Sequence, residues 1–370
     1  MRVLITGGAG FIGSHLTDDL ISKGHEVVVF DNFSPQVHPS RPSYLNPKAE
    51  IVDGDVRDKE KLFDVLKEAE AVYHFAGKVG VGQSMYEISN YTDVNVGGTA
   101  ALLDILVNKE TPVKKVVVAS SMSLYGEGSY ECPKCRGNIH KPRTHEQMKN
   151  RDWEMKCSSC NASMNPIPTK EDNLPVPDSL YALTKKFQED VVLQIGKTYG
   201  IPSVAFRFFN VYGTRQALSN PYTGVAAIFM SRIKNNKGPL IFEDGNQLRD
   251  FVSVKDICQG CTLALKSKAA DYEVFNLGSG KEISILNLAK NLTTLCGSRV
   301  TPEITHQFRV GDVRHCFSDI SKIKSKLDYE PKVKIKDGLK ELIEWSKKEE
   351  AQDLVEHMKS QLQSRGLVRG

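Results

Sequence analysis

The stretch VLITGGAGFIGSHL, residues 3–16, decides the fold. An apolar, β-branched run reads as a strand, glycines follow at Gly7, Gly10 and Gly13, and a helical pattern begins at Phe11 and Ile12. Glycines at this GxxGxxG spacing, between a strand and a helix, let the backbone turn tightly, approach a pyrophosphate and pack helix against strand. The helix N-terminus then faces the phosphates. The next apolar run, HEVVVFDN, ends in Asp31, 18 residues past Gly13, where a carboxylate accepts both hydroxyls of a ribose. Such a carboxylate repels a 2′-phosphate, and the following Asn32, Phe33 and Ser34 supply no cation. The pattern therefore favours NAD over NADP.

Outward from this start, RVLIT, HEVVVF, EIVDGD, AVYHFAG, KKVVVASS and PSVAFRF alternate with helix-length segments. That alternation predicts an α/β fold, a doubly wound parallel Rossmann sheet with right-handed crossovers, over residues 1–208. After Asn210 the text loosens into Gly/Pro/Asn-rich loops, which predicts a smaller substrate-binding lobe over residues 209–345 with a soft boundary. Residues 346–370 are charged and helical, and read as a solvated amphipathic tail. The chain of 370 residues is long enough for two joined cores. Its 49 basic and 45 acidic residues are too balanced to point to nucleic acid or a membrane. The N-terminal run lacks the pattern of a signal peptide, and no apolar run reaches the length of a membrane span, so a cytoplasmic protein is expected.

Two further patterns carry chemistry. SLYALTKK places Tyr181 and Lys185 four residues apart, on one face of a helix, where the ammonium is expected to lower the phenol's pKa from its reference of about 10. The strand VVVASSMSLYGEG ends in Ser120, Ser121 and Ser123 at the carboxyl edge of the sheet, where open α/β sheets bind ligands. Between these two, Cys132, Cys135, Cys157 and Cys160 form CxxC-x21-CxxC, the spacing of a zinc ribbon, in an insert over residues 129–168. Four thiolates leave the ion no open position, so the zinc is expected to be structural, supplying folding energy to a loop without its own core. His140 and His145 are read as exposed loop residues, and Cys258 and Cys261 as core.

TGGAGFIG, HFAG, NVGGT, SSMSLYG, YxxxK, RFFNVYG, RDFVSVKD and RVGD occur in the order found in the extended short-chain dehydrogenase/reductases, which this chain resembles from its start to about Trp345, apart from the insert. Within them it is similar to the nucleotide-sugar epimerases and dehydratases. The resemblance implies a catalytic trio of Ser121, Tyr181 and Lys185, with Ser123 nearby on the substrate side. It implies that Asp55 and Val56 contact the adenine side, that Phe75, Ala76 and Gly77 line the NAD cleft, and that Asn95 supports the active-site helix at that cleft. It assigns Asn210, Arg249, Arg309 and Asp312 to the diphosphate and ribose of a nucleotide-diphosphate sugar, and implies a homodimer. A 4,6-dehydratase carries an Asp-Glu pair after the strand-end hydroxyl, where this chain has Met122 and Ser123. The resemblance therefore implies 4-epimerisation through a 4-keto sugar, with 4,6-dehydration as the alternative. The text around SSMSLYGEG and QALSNPYTGVAAIF is similar to that of dTDP-L-rhamnose 4-epimerases with a cysteine insert. A different class also fits: the insert has seven basic and four acidic residues, as a binding module on an NAD-sensing domain would. Tyr181 and Lys185 speak against it, since sensing needs neither.

Overall fold

The computed structural model describes residues 1–370. Seven strands run parallel: β1 (Arg2–Thr6), β2 (Glu26–Asp31), β3 (Glu50–Asp53), β4 (Ala71–His74), β5 (Lys115–Ser121), β6 (Ser203–Phe208) and β7 (Glu273–Leu277), in the order β7-β6-β5-β4-β1-β2-β3. The order reverses at β1, where Val3 pairs with Val27 on one side and Ala71 on the other. Ligands bind beyond the carboxyl edge at such a reversal.

The strands read as unbroken apolar runs because both faces of the sheet are covered. Helices α1 (Phe11–Ser22), α2 (Gly98–Asn108), α3 (Leu180–Tyr199) and α4 (Val254–Lys266) cover them. Val3 and Ile5 bury against Leu16 and Leu20 of α1 and Ile257 and Cys261 of α4, whereas Leu4, one residue out of phase, faces Leu102 of α2 and Val192 of α3. Each fully buried aliphatic side chain there contributes about 1.5–3 kcal/mol of transfer free energy. Ser179 caps α3 by accepting from the Ala182 N–H, and Gly200 ends it at φ +71°. Those two ends fix where Tyr181 and Lys185 sit.

The chain crosses between lobes more than the sequence boundary at 208/209 implies. Helix α4, strand β7 and the segment with Ile320, Ile323 and Leu327 all return to the first core, because their apolar faces complete its cover. The second lobe is built on strand Leu248–Ser253, parallel to Asn210–Tyr212 and His315–Cys316 and antiparallel to Glu282–Ser284. Phe229, Leu288, Leu339 and Leu342 form its separate core.

The C-terminal segment is not the solvated tail its charge suggests. Helix α5 (Val355–Ser364) buries Val355, Met358 and Leu362 with Leu240 and Phe242, and Val368–Arg369 pairs antiparallel with Phe308–Arg309. Three apolar residues on one face of a charged helix are enough to dock it. The cysteine insert is a folded unit of two antiparallel pairs, Ser129–Glu131 with Asn165–Ile167 and His140–Lys141 with Lys156–Cys157, around Tyr130, Met155 and Met164.

Candidate active site and cysteine cluster

A cavity of ≈ 860 Å³ lies at the carboxyl edge of the sheet, between the lobes. At its floor Gly7 turns at φ +69°, and a Cβ there would stand 2.7 Å from the Ala76 nitrogen. One on Gly13 would stand 2.4 Å from the Gly7 carbonyl oxygen. Only glycine allows this closeness of turn, helix and strand. Gly10, Phe11 and Ile12 line the cavity, and the first amides of α1 have no partner within the helix, which is a seat for phosphate oxygens.

Asp31 ends β2 at the cavity wall. Its Oδ2 accepts from the Ala9 N–H at 3.0 Å and its Oδ1 from the Phe33 N–H at 2.9 Å, which leaves lone pairs for a ribose. Burial pushes its carboxyl up, while the Phe33 amide and the nearby His38 pull it back. Asn32 donates to Asp55, whose carboxylate is held at about 2 chiefly by hydrogen bonds from Arg57. Val56, Phe75, Ala76 and Gly77 also line the cavity. Asn95 does not. It is buried behind the cleft, donating to Thr184 of α3 at 2.9 Å and accepting from the Lys78 N–H at 2.7 Å, so it ties α3 to the loop after β4 and touches no ligand space. It supports the helix that carries Tyr181 and Lys185 from behind the cleft.

The three candidate serines part company. Ser120 points away, donating to the buried Glu189 at 2.6 Å, which in turn holds Arg207. Ser121 lines the cavity and accepts from the Ser123 N–H at 3.2 Å and the Ser123 hydroxyl at 2.9 Å. Tyr181 and Lys185 line the same space. Lys185 Nζ donates to the Ala119 carbonyl at 3.0 Å, and burial lowers its pKa to about 8. The Tyr181 phenol is pushed up by burial and drawn back by the Ser121 hydroxyl, not lowered by the lysine as the spacing alone implies. Desolvation of a phenolate outweighs an ammonium turned toward Ala119.

Three polar atoms of cavity-lining residues are buried without a hydrogen-bond partner: Asn210 Oδ1, Gln247 Oε1 and Arg215 Nη1, the last beside α1, where its other nitrogen holds Asp18. Buried polar atoms are almost always paired, so three orphans around one cavity mark where a polar ligand belongs. Asn210 was legible in the sequence. Arg215 and Gln247 were not, although the cation just after NVYG was a usable signal for Arg215.

Arg309 lies over the Phe242 ring at 4.9 Å, held by Asp312 at 2.7 and 3.0 Å, with its side chain partly open to the cavity. Arg249 lines the cavity too, but its guanidinium donates to the main-chain carbonyls of Leu248 and Arg314 at 2.8 and 3.0 Å and to that of Val313. It braces the 313–314 backbone while lining the cavity. Asp178, three residues before Tyr181, is a cavity carboxyl that the sequence reading missed; burial and then Glu127 push its pKa up.

The four sulfurs of Cys132, Cys135, Cys157 and Cys160 all lie within 4.8 Å of one another, with two pairs at 3.4 and 3.5 Å. A disulfide requires about 2.05 Å. Zinc–sulfur bonds of about 2.3 Å at tetrahedral angles put sulfurs about 3.8 Å apart, which the cluster nearly matches. The Cys160 and Ser159 amides draw the Cys157 thiol down to about 6, and the Cys135 and Lys134 amides draw Cys132 down. The neighbouring sulfurs push Cys135 and Cys160 up, so crowding four thiols here disfavours four free thiolates without a cation among them. His140 and His145 stay out of the cluster and pack edge-on against Tyr130 and Phe308. Cys258 and Cys261 are buried in the first core.

Residues 3–149 match the NAD dependent epimerase/dehydratase family and residues 161–342 match GDP-mannose 4,6 dehydratase. The dTDP-L-rhamnose 4-epimerase of Burkholderia thailandensis is 35% identical over 351 residues, covering 93% of this chain and 94% of that one. The chain belongs to the NAD-dependent epimerase/dehydratase family. Two solved structures of the family superpose over 94% of this chain and 99% of their own. They are the UDP-glucose 4-epimerase of Thermotoga maritima with UDP-glucose, at 31% identity and TM-score 0.76, and the UDP-glucuronic acid 4-epimerase of Bacillus cereus with UDP-glucuronic acid and NAD, at 28% and 0.77. These relatives are nucleotide-sugar 4-epimerases. No helix of the chain is long and apolar enough to cross a membrane.

Proposed function

We propose that this protein is an NAD-dependent nucleotide-sugar 4-epimerase acting on a dTDP-6-deoxyhexose, with dTDP-L-rhamnose favoured. What carries the reading is the convergence of Ser121, Tyr181 and Lys185 on a cavity also lined by three residues with orphaned polar atoms and by Arg309. The 35% identity to a dTDP-L-rhamnose 4-epimerase supports the sugar. NAD, when bound along the glycine turn and Asp31, supplies the acceptor and donor of the hydride at C4. Tyr181 takes and returns the proton of the C4 hydroxyl, and Ser121 donates a hydrogen bond to the same oxygen as it becomes a carbonyl. Lys185, charged below about 8, lines the same space and would help hold the nicotinamide ribose of bound NAD, its charge favouring the phenolate. Asn210 and Arg309 hold the ribose and diphosphate, while the sugar turns over and presents its other face. Asp312 orients Arg309.

The cysteine cluster holds a structural zinc on this reading, with thiols kept reduced in a cytoplasmic setting. Leu183 and Phe187, one turn apart on α3, are exposed and suit a homodimer contact. Two observations favour elimination: residues 161–342 match GDP-mannose 4,6 dehydratase, and Asp178 is a cavity carboxyl, raised by burial, that can exchange a proton. That keeps a 4,6-dehydratase as the second reading. Incubation with dTDP-L-rhamnose, followed by proton NMR of the sugar, should give a C4 epimer at equilibrium with the substrate. UDP-glucuronate turned over faster than any dTDP-sugar would redirect the substrate, and a 4-keto-6-deoxy product would favour the dehydratase.

A further inference from the structure

The cysteine insert leaves the chain just after the Ser121 turn and returns just before α3, and between those points it reaches across to the opposite wall. Arg143, in the insert, has a side chain only 5% exposed; it donates to Glu243 Oε1 at 2.7 Å and to the Asp312 carbonyl at 2.8 Å, with Glu127 at 3.5 Å. Glu154, also in the insert, accepts from Arg314 at 2.6 and 3.1 Å and bonds His315 Nε2 at 3.0 Å. Arg314, 1% exposed, completes its contacts with Asp244 at 2.6 and 3.0 Å and with Glu243 at 3.0 Å. The Tyr130 hydroxyl, from the same small core as Cys132 and Cys157, accepts from the His315 N–H at 3.1 Å. Trp153 and His145 close the set against Phe308, the neighbour of Arg309.

Every backbone group from Asp312 to His315 that these contacts reach is therefore held by the insert, by Arg249 or by Glu127, which accepts from the Arg314 N–H at 2.8 Å. This strip carries Asp312, and Asp312 aims Arg309. Without Arg143 and Glu154 the deeply buried Glu243 and Arg314 each lose a partner and keep only one another and Asp244, and a buried ionic network stripped of partners holds its surroundings less firmly.

We propose that the insert is the positioning element of the diphosphate wall, with Arg143 and Glu154 as positioning residues that couple the cysteine-clamped core to Arg309. The proposal rests on the reading of Arg309 as a diphosphate ligand. It explains why a metal-clamped module interrupts an enzyme: its five-residue core is too small to hold two buried ion pairs in place, and cross-linking four cysteines stiffens it.

The test uses the NAD-loaded full chain. UDP and dTDP are titrated by calorimetry into the wild type, Arg143→Met, Arg143→Lys, Glu154→Gln and the Met/Gln double variant, with zinc and NAD contents and steady-state kinetics measured on each. Nucleoside diphosphate affinity should fall roughly 2- to 30-fold in Arg143→Met, the range for residues acting through a network. KM should rise with kcat near that of the wild type, NAD content should hold, and Arg143→Lys should recover part of the loss. Glu154→Gln, which keeps the shape and one acceptor, covers the case in which Arg143→Met does not fold. Unchanged affinity in Glu154→Gln and Arg143→Met, or equal losses of NAD and nucleotide, would overturn the proposal. A wild type that binds neither UDP nor dTDP would overturn the diphosphate reading itself, and the proposal with it.

Discussion

Asp31→Asn isolates the charge that decides the cofactor. The carboxylate already accepts two backbone N–H groups, from Ala9 at 3.0 Å and Phe33 at 2.9 Å, and its remaining lone pairs face the cavity. Asparagine keeps one oxygen but replaces the other with a donor, which must face either a backbone N–H or a ribose hydroxyl. A hydrogen bond to a charged group is worth about 1.5–3 kcal/mol, so NAD affinity should fall roughly 10- to 150-fold. The same change removes the repulsion that a 2′-phosphate meets, so the preference for NAD over NADP should narrow. Arg41 stacks on Phe33 at 4.6 Å outside the cavity lining, and Arg57 is already held by Asp55, so NADP binding should improve relative to NAD without overtaking it. Cofactor content of the purified protein and titration of the stripped protein with NADH and NADPH, followed by fluorescence, measure both quantities. An unchanged NAD affinity would refute the placement of the ribose at Asp31.

Ser121→Ala should lower kcat far more than Ser123→Ala, because both line the cavity but the Ser121 hydroxyl is the one that bonds the Tyr181 phenol, with Ser123 donating to Ser121. The reverse order in steady-state assays would move the catalytic hydroxyl two residues along. Tyr181→Phe should abolish turnover while NAD content stays near that of the wild type, and residual activity above a thousandth of wild type would exclude the phenol as the essential base. Purified protein should carry about one zinc per chain, and Cys157→Ser should lower both metal content and melting temperature; elemental analysis finding no metal in unchelated wild type would remove the ribbon. Burial pushes Glu154 and Asp244 up, but hydrogen bonds led by His315 for Glu154 and by Arg314 for Asp244 bring each down to about 2. Carboxyls lowered in the folded state stabilise it above their unfolded values of about 4.5 and 3.8 and lose that contribution as pH falls toward 2. Unfolding followed by Trp153 fluorescence should accordingly show stability dropping over that window, with a shallower drop in Arg314→Met; equal slopes would mean the network is not what titrates.

The nucleotide half of the molecule was legible because its signals are local. A strand, three glycines and a helix sit within fourteen residues, and Tyr181 and Lys185 share a face by helical spacing alone. The cysteine cluster was legible for a related reason: thiolate chemistry depends on spacing within each knuckle, and the two knuckles then have one way to meet. What could not be seen depends on distant partners. Nothing in the text of α4 or β7 tells which sheet they join, since an apolar face fits either core. The charge of residues 346–370 hides Val355, Met358, Leu362 and Val368, which matter only because Leu240 and Phe242 lie opposite. Arg249 does line the cavity, but its tie to carbonyls more than sixty residues away could not be read from its neighbours in sequence. The tyrosine pKa failed in the same manner, for spacing gives the distance to a lysine and says nothing of the burial that outweighs it.

The central claim is that a sugar inverts at C4 by losing and regaining the same hydrogen, with no proton exchanged elsewhere on the ring. A dTDP-sugar deuterated at C4, incubated with the enzyme in ordinary water, should yield the C4 epimer with its deuterium still at C4, and a reaction run in deuterated water should leave C5 unlabelled. Met122 and Ser123, where an elimination would need an acidic pair, are the residues behind that expectation. Deuterium moved from C4 to C6, together with solvent hydrogen at C5 and loss of water, would contradict it and assign the site, with Asp178, to dehydration.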